Sequence, residues 1–193
     1  EVLRGANGLM SGSGNPSATV NFVRKRPTFK PQAQVDLTAG SWDERRIQAD
    51  VSGALTDEGT IRGRAVYAHE NKNSYLDRYS REVNVFYGVL EADLNPDTLF
   101  SVGYSLDENN ANSPLWGALP LFDSVGKPTQ LSRSTSTAAD WSWWNNQEQR
   151  TFTELTHNFA NGWQAKGNVS YVKKQSDSEL FYVFGTPNAL TGD

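Results

Sequence analysis

The sequence predicts an all-β protein of long antiparallel strands, the kind of sheet that closes into a membrane barrel. Three observations predict it. Hydrophobicity alternates with a period of two along several segments, very short turns separate some segments while long connections separate others, and no stretch approaches the ~20 consecutive apolar residues of a membrane helix.

The elements follow in order. Glu1-Val2-Leu3-Arg4 reads as the middle of a strand, so the chain is expected to be a fragment of something larger. A glycine-rich reversal, Gly5 to Pro16, leads into a short strand, Ala18 to Val23. After Pro31, QVDLTAG sets Val35, Leu37 and Ala39 on one face and Gln34, Asp36 and Thr38 on the other. The next segment sets Ile47, Ala49 and Val51 against Arg46, Gln48, Asp50 and Ser52, and ends at the turn Leu55 to Gly59.

A strand from Ile61 to Glu70, a polar loop, and a strand from about Glu82 to Asp93 come next. Asn95-Pro96-Asp97 turns the chain into Leu99 to Asp107, where Phe100, Val102, Tyr104 and Leu106 alternate with small polar residues. A long loop is expected from Glu108 to about Gln147. Two more strands, Glu148 to Phe159 and Trp163 to Gln175, flank the turn Ala160-Asn161-Gly162.

Strands of about ten residues exceed the usual five to six. Short turns at one end and long loops at the other suit a barrel whose apolar face meets lipid and whose polar face lines the lumen. Tyr67, Tyr87, Tyr104, Phe159, Trp163 and Tyr171 fall near strand ends, where an interfacial girdle would sit. The same alternation also fits a soluble β-sandwich that uses an aromatic loop for binding or adhesion. That alternative requires a closed core between two sheets and no outward apolar belt.

Composition removes other classes. The net charge of -4 and the brevity of Arg24-Lys25-Arg26 exclude a general nucleic-acid binder. The absence of cysteine removes disulfides and thiolate metal sites. His69 and His157 lie far apart, and no close pair of carboxylates accompanies either, so neither a catalytic site nor a protein-ligated metal is expected. A glycan hydrolase would need two converging carboxylates.

The glycine-rich stretch is not a phosphate loop. The sixth position from Gly8 is Ser13, and the first lysine of the chain is Lys25, so the Walker pattern fails. Gly12-Ser13-Gly14 lacks a third glycine in register and a helix to follow, so the dinucleotide pattern fails as well.

The segments Glu1-Val2-Leu3-Arg4-Gly5, Gly12-Ser13-Gly14-Asn15-Pro16 and Val20 to Thr28 resemble the end of the plug domain of TonB-dependent outer-membrane receptors. The rest resembles the first part of that family's 22-stranded barrel. Ser113-Pro114-Leu115-Trp116-Gly117, Pro120 to Ser124 and His157 to Trp163 resemble its ferric hydroxamate-siderophore branch, which includes the ferric coprogen/rhodotorulic acid and ferripyoverdine receptors.

The resemblance implies an all-β membrane barrel with an N-terminal plug, of which residues 1–31 are the end of the plug and residues 32–193 the first barrel strands. It implies a non-enzymatic receptor and transporter in the outer membrane of a Gram-negative bacterium. Its partners would be a ferric siderophore, outer-membrane lipid and the TonB complex, the last through a segment absent here. No cofactor is implied, since the iron arrives chelated by the siderophore. Broad aromatic faces and a few charged groups suit such a ligand. Trp116, Trp141 and Trp144 are the expected faces, Arg133 the charged group, and Met10 an approach from the plug apex. Arg4, Arg24 and Lys25 are expected to pair with lumen carboxylates such as Asp36, Asp50 and Glu91.

Overall fold

The structure, a computed structural model, describes residues 2–4, 18–20 and 23–191, the first two stretches by their backbone alone. The glycine-rich stretch 5–16, with Met10, lies outside the described residues, as does the side chain of Arg4.

Strands β1 (Val2–Arg4) and β2 (Ala18–Val20) form an antiparallel pair. Seven further strands form one sheet: β3 (Gln32–Ala39), β4 (Arg45–Ala54), β5 (Ile61–Asn73), β6 (Ser80–Asn95), β7 (Thr98–Asn112), β8 (Trp143–Asn158) and β9 (Gln164–Glu179). Their spatial order is their chain order and every pairing is antiparallel, so the sheet is a meander.

Register makes the two faces opposite in character. One face carries the row Arg62, Glu91, Ser101, Glu154, and beside it the row Ser52, Arg64, Val89, Gly103, Phe152. The other carries Val35, Ile47, Val51, Tyr67, Phe86, Leu90, Val102, Leu155 and Val169, all exposed. Residues 23–31 lie across the charged face, here called inner. Among the described residues no second sheet covers the apolar, outer face. A sandwich would bury that face; this sheet presents it outward, as a barrel wall does in lipid.

At the lower end the turns are tight. Leu55 N donates to Ile61 O at 2.8 Å, and Phe159 N to Trp163 O at 2.8 Å. Gly59 and Gly162 occupy the left-handed region these turns require, with φ of 71° and 85°. At the upper end the connections are unequal. The β3–β4 reversal is short and places Trp42 and Asp43 at φ 59° and 57°, and the β5–β6 loop is short too. The expected asymmetry is therefore carried mainly by residues 113–142.

That loop is shorter than expected, because β7 runs on to Asn112 and β8 starts at Trp143. In this upper part both faces carry polar side chains, so alternation disappears although the ladder continues. Trp143 and Trp144, assigned to the loop from the sequence, are strand residues. A second correction concerns Tyr87: it lies on the inner face, and its hydroxyl donates to the carbonyl of Lys25 at 2.8 Å. Tyr67, Phe86, Tyr104 and Tyr171 do share the outer face, the first two one row and the last two two rows below the polar row His69, Asn84, Glu108, Gln147, Gln175.

Candidate functional site

Two arrangements on the inner side deserve a function: a clamp on residues 23–31 near the lower end, and an aromatic cluster at the upper end.

The clamp begins with Lys25, whose ammonium lies 2.7 Å from Asp50 Oδ2. Asp50 is buried and is also gripped by Arg64, through Nε at 2.9 Å and Nη2 at 2.7 Å. The guanidinium of Arg26 donates to Glu91 at 2.7 Å, to Ser101 Oγ at 3.0 Å and to Glu154. Burial alone would lower the pKa of Arg26, but the hydrogen bonds and charges of Glu154 and Glu91 raise it overall. Arg24 stacks on the Phe152 ring at 4.1 Å, and Thr28 N donates to Ser52 Oγ at 2.8 Å.

The expected Lys25–Asp50 pair is thus present, and Glu91 is engaged, by Arg26. Arg24 has an aromatic partner where a carboxylate was expected. Sequence reasoning passed over Arg26, Glu154, Ser101 and Arg62. A usable signal existed: Arg62, Glu91, Ser101 and Glu154 are all polar positions of alternating strands, and only register shows that they form one row.

At the upper end Trp116 and Trp144 meet edge to face, and Trp144 Nε1 donates to Ser176 Oγ at 2.8 Å. Trp144 points to the inner face, because it shares the parity of Phe152 and Glu154 on β8. Trp116 also forms an isolated bridge with Tyr182, and Trp141 meets Phe181 edge to face at 6.1 Å. The segment after β9 therefore packs against the long loop; Ser124 N donates to Pro187 O at 2.9 Å.

Arg133 stands elsewhere. Its guanidinium lies 5.1 Å from the Tyr75 ring centroid, and Tyr75 in turn meets Trp42 at 6.3 Å. Next to it, Asp77 N donates to Ser134 O at 2.8 Å and Arg78 Nη2 to Ser136 O at 2.8 Å. The loop 113–142 is thus tied on one side to the β5–β6 loop and on the other to residues 181–189. Trp116 and Trp144 are brought together, Trp141 sits with Phe181, and Arg133 belongs to the opposite tie.

Beneath Trp144 the inner wall holds a cleft of about 560 Å³ whose lining includes Arg81, Asp107, Asn146, Glu148, Lys174 and Ser176. Two ion triads border it: Glu70 between Arg46 and Arg81, and Glu148 between Arg150 and Lys174. An aromatic rim over a wall of mixed charge can hold a large polar ligand by stacking and hydrogen bonding. Among the described residues, no group of three or more His, Cys, Asp or Glu is arranged to hold a metal ion.

No protein-family model matches the chain. It is 48% identical over 172 residues to the ferripyoverdine receptor of Pseudomonas aeruginosa, which covers 89% of this chain and 21% of that receptor. It is 40% identical over 188 residues to the ferric-pyoverdine BN7/BN8 receptor of Pseudomonas putida, covering 97% of this chain and 23% of the relative. The crystal structure of the P. aeruginosa ferripyoverdine receptor bound to ferripyoverdine superimposes with a TM-score of 0.91 at 44% identity, over 98% of this chain and 25% of that one. The chain therefore spans between a fifth and a quarter of the length of the relatives it matches.

Proposed function

This chain belongs to the outer-membrane ferric-siderophore receptors of Gram-negative bacteria, and we propose that it supplies the end of the plug and the first seven barrel strands of such a receptor and transporter. Residues 1–31 then belong to the plug and residues 32–193 to the wall. The apolar outer face meets lipid, the aromatics Tyr67, Phe86, Tyr104 and Tyr171, spread over two adjacent rows, mark the upper membrane boundary, and the strands rise beyond them toward the exterior.

The observation that carries this reading is the crossing of residues 23–31 over the charged face of a sheet whose opposite face is apolar and uncovered. A wall of that kind needs lipid on one side and a polar filling on the other. The plug is the filling, and the TonB complex, acting on a plug segment outside this chain, drives its movement.

The cargo is a ferric siderophore that carries its own iron ligands. By relation it is of the pyoverdine class, and the narrower reading from the loop motifs is a siderophore with hydroxamate oxygens. Trp116, Trp144 and Trp141 supply the stacking faces, Arg133 a charged donor from the loop, and Met10 an approach from the plug apex.

The test is uptake of radioactive iron by cells carrying the full receptor, with ferric pyoverdines and ferric hydroxamates offered one at a time. Uptake of at least one, abolished when TonB is absent, is the expected result. Failure to bind any of them would reject the reading.

A further inference from the structure

We propose that residues 23–31 stay docked on the wall throughout transport, with Arg26 as the fixed point about which the rest of the plug moves. This rests on the transporter reading above and adds to it by assigning the part that does not move.

Three buried carboxylates receive the segment: Asp50, Glu91 and Glu154. Each also has a cation from the wall, but the three wall partners are unequal. Asp50 keeps a two-toothed grip from Arg64, so the half-exposed Lys25 is redundant there. Glu154 keeps Lys166 at 3.1 Å. Among the described residues Glu91 keeps only Arg62, at 3.8 Å, and that guanidinium is already committed to Asp93 at 2.5 and 2.9 Å.

Withdrawing Arg26 would thus leave Glu91 poorly paired, with Glu154 nearby on the same row and Ser101, 1% exposed, without its donor. Breaking a pair from one side is strongly unfavourable to the extent that the remaining charge stays desolvated, as Glu91 does on the side packed against Arg62. Withdrawing Lys25 leaves no such residue.

Backbone contacts add to this. Tyr87 donates to Lys25 O and Arg64 donates to Arg26 O at 3.0 Å, so the segment is held by side chains of β4, β5, β6, β7 and β8 together. No displacement of one strand frees it. By contrast, among the described residues β1 and β2 pair with each other and with no strand of the sheet.

Thr28 Oγ1 lies 3.0 Å from Ser52 Oγ, so Thr28→Cys with Ser52→Cys, in a full receptor freed of any other reactive cysteine, can tether the segment to β4. The expected result is that oxidised and reduced receptors, in cells with an energised TonB complex, take up ferric pyoverdine at rates within twofold of each other. Uptake that stops on oxidation and returns on reduction, with ligand binding intact, overturns the proposal alone. Loss of binding and uptake of every ferric siderophore by the unsubstituted receptor overturns the transporter reading and this proposal with it.

The single variant Thr28→Cys gives a second readout that does not depend on the tether. Its labelling by a thiol reagent is expected to stay constant when ferric pyoverdine and TonB energy are supplied. Adding Arg26→Gln is expected to raise that labelling more than tenfold during transport, and adding Lys25→Gln to leave it unchanged. A transport-dependent rise with Arg26 intact, or equal effects of the two substitutions, overturns the proposal.

Discussion

Trp116 and Trp144 come together with ring centroids 5.2 Å apart and planes at 77°, although one belongs to a long loop and the other to β8. The loop residue is 43% exposed, so the pair is not filling a core. Its edge-to-face geometry fixes Trp116 relative to the wall and leaves ring surface free for a ligand. Trp116→Ala in the full receptor is expected to weaken ferric-siderophore binding about tenfold, roughly 1.4 kcal/mol. Titration of the purified receptor by fluorescence quenching checks this; unchanged affinity would remove Trp116 from the site.

Trp144 differs, because it is also held by Ser176. Trp144→Ala should lower affinity and, in addition, release Trp116, so the double variant should be less than additive, with a coupling of about 0.5–1.5 kcal/mol. Additive losses in the double-mutant cycle would mean that the rings act separately.

The lower two-thirds of the sheet were legible because burial and lipid exposure impose opposite polarities on alternate residues. Val35, Leu37, Ile47 and Val51 announced the outer face, and Asp50 and Ser52 the inner one. In the upper part both faces are polar, so ENNAN and WWNNQ carry no alternation and read as loop although they pair residue by residue. Tyr87 was misread for a different reason: an aromatic residue near a strand end suits a girdle, and only parity within β6 reveals that it faces inward. The Trp116–Trp144 contact could not be read at all, since it depends on how residues 113–142 fold back over β8.

The belt makes a position-dependent prediction. Leu90 lies on the outer face of β6, three rows below His69 and Asn84, and is 49% exposed. Leu90→Arg would place a charge near the middle of the apolar band and should destabilise the inserted barrel by about 2–4 kcal/mol. Gln175→Lys, on the polar row above the belt, should cost under ~1 kcal/mol. Denaturant unfolding of the receptor in bilayers compares them, and equal costs would contradict the assigned membrane boundary.

Gly103 and Phe152 are directly opposed on the inner face of β7 and β8. A Cβ on Gly103 would collide with the Phe152 ring and lie 2.9 Å from Gly88 O. That ring, stacked on Tyr87 and beneath Arg24, has no room to retreat. Gly103→Ala should therefore destabilise the protein by about 1–3 kcal/mol, whereas Gly167→Ala, with nothing within 4 Å of the new methyl, should be neutral or mildly stabilising. Thermal unfolding of the two variants separates these outcomes.

Arg133 stacks its flat face on Tyr75, and stacking leaves the in-plane N–H donors free to meet acceptors on a ligand. Arg133→Ala is expected to raise the dissociation constant by about three- to tenfold, within the range of one charge-assisted hydrogen bond. Lysine should not restore it, because an ammonium can neither stack in the same way nor present a fork of donors. Tyr75→Phe keeps the stack and should leave binding unchanged. The informative variant is Tyr75→Ala: if Arg133 acts only by tying the loop to residue 75, Tyr75→Ala must reproduce the full loss, and if the guanidinium itself meets the ligand, the loss with Tyr75→Ala must be smaller than with Arg133→Ala.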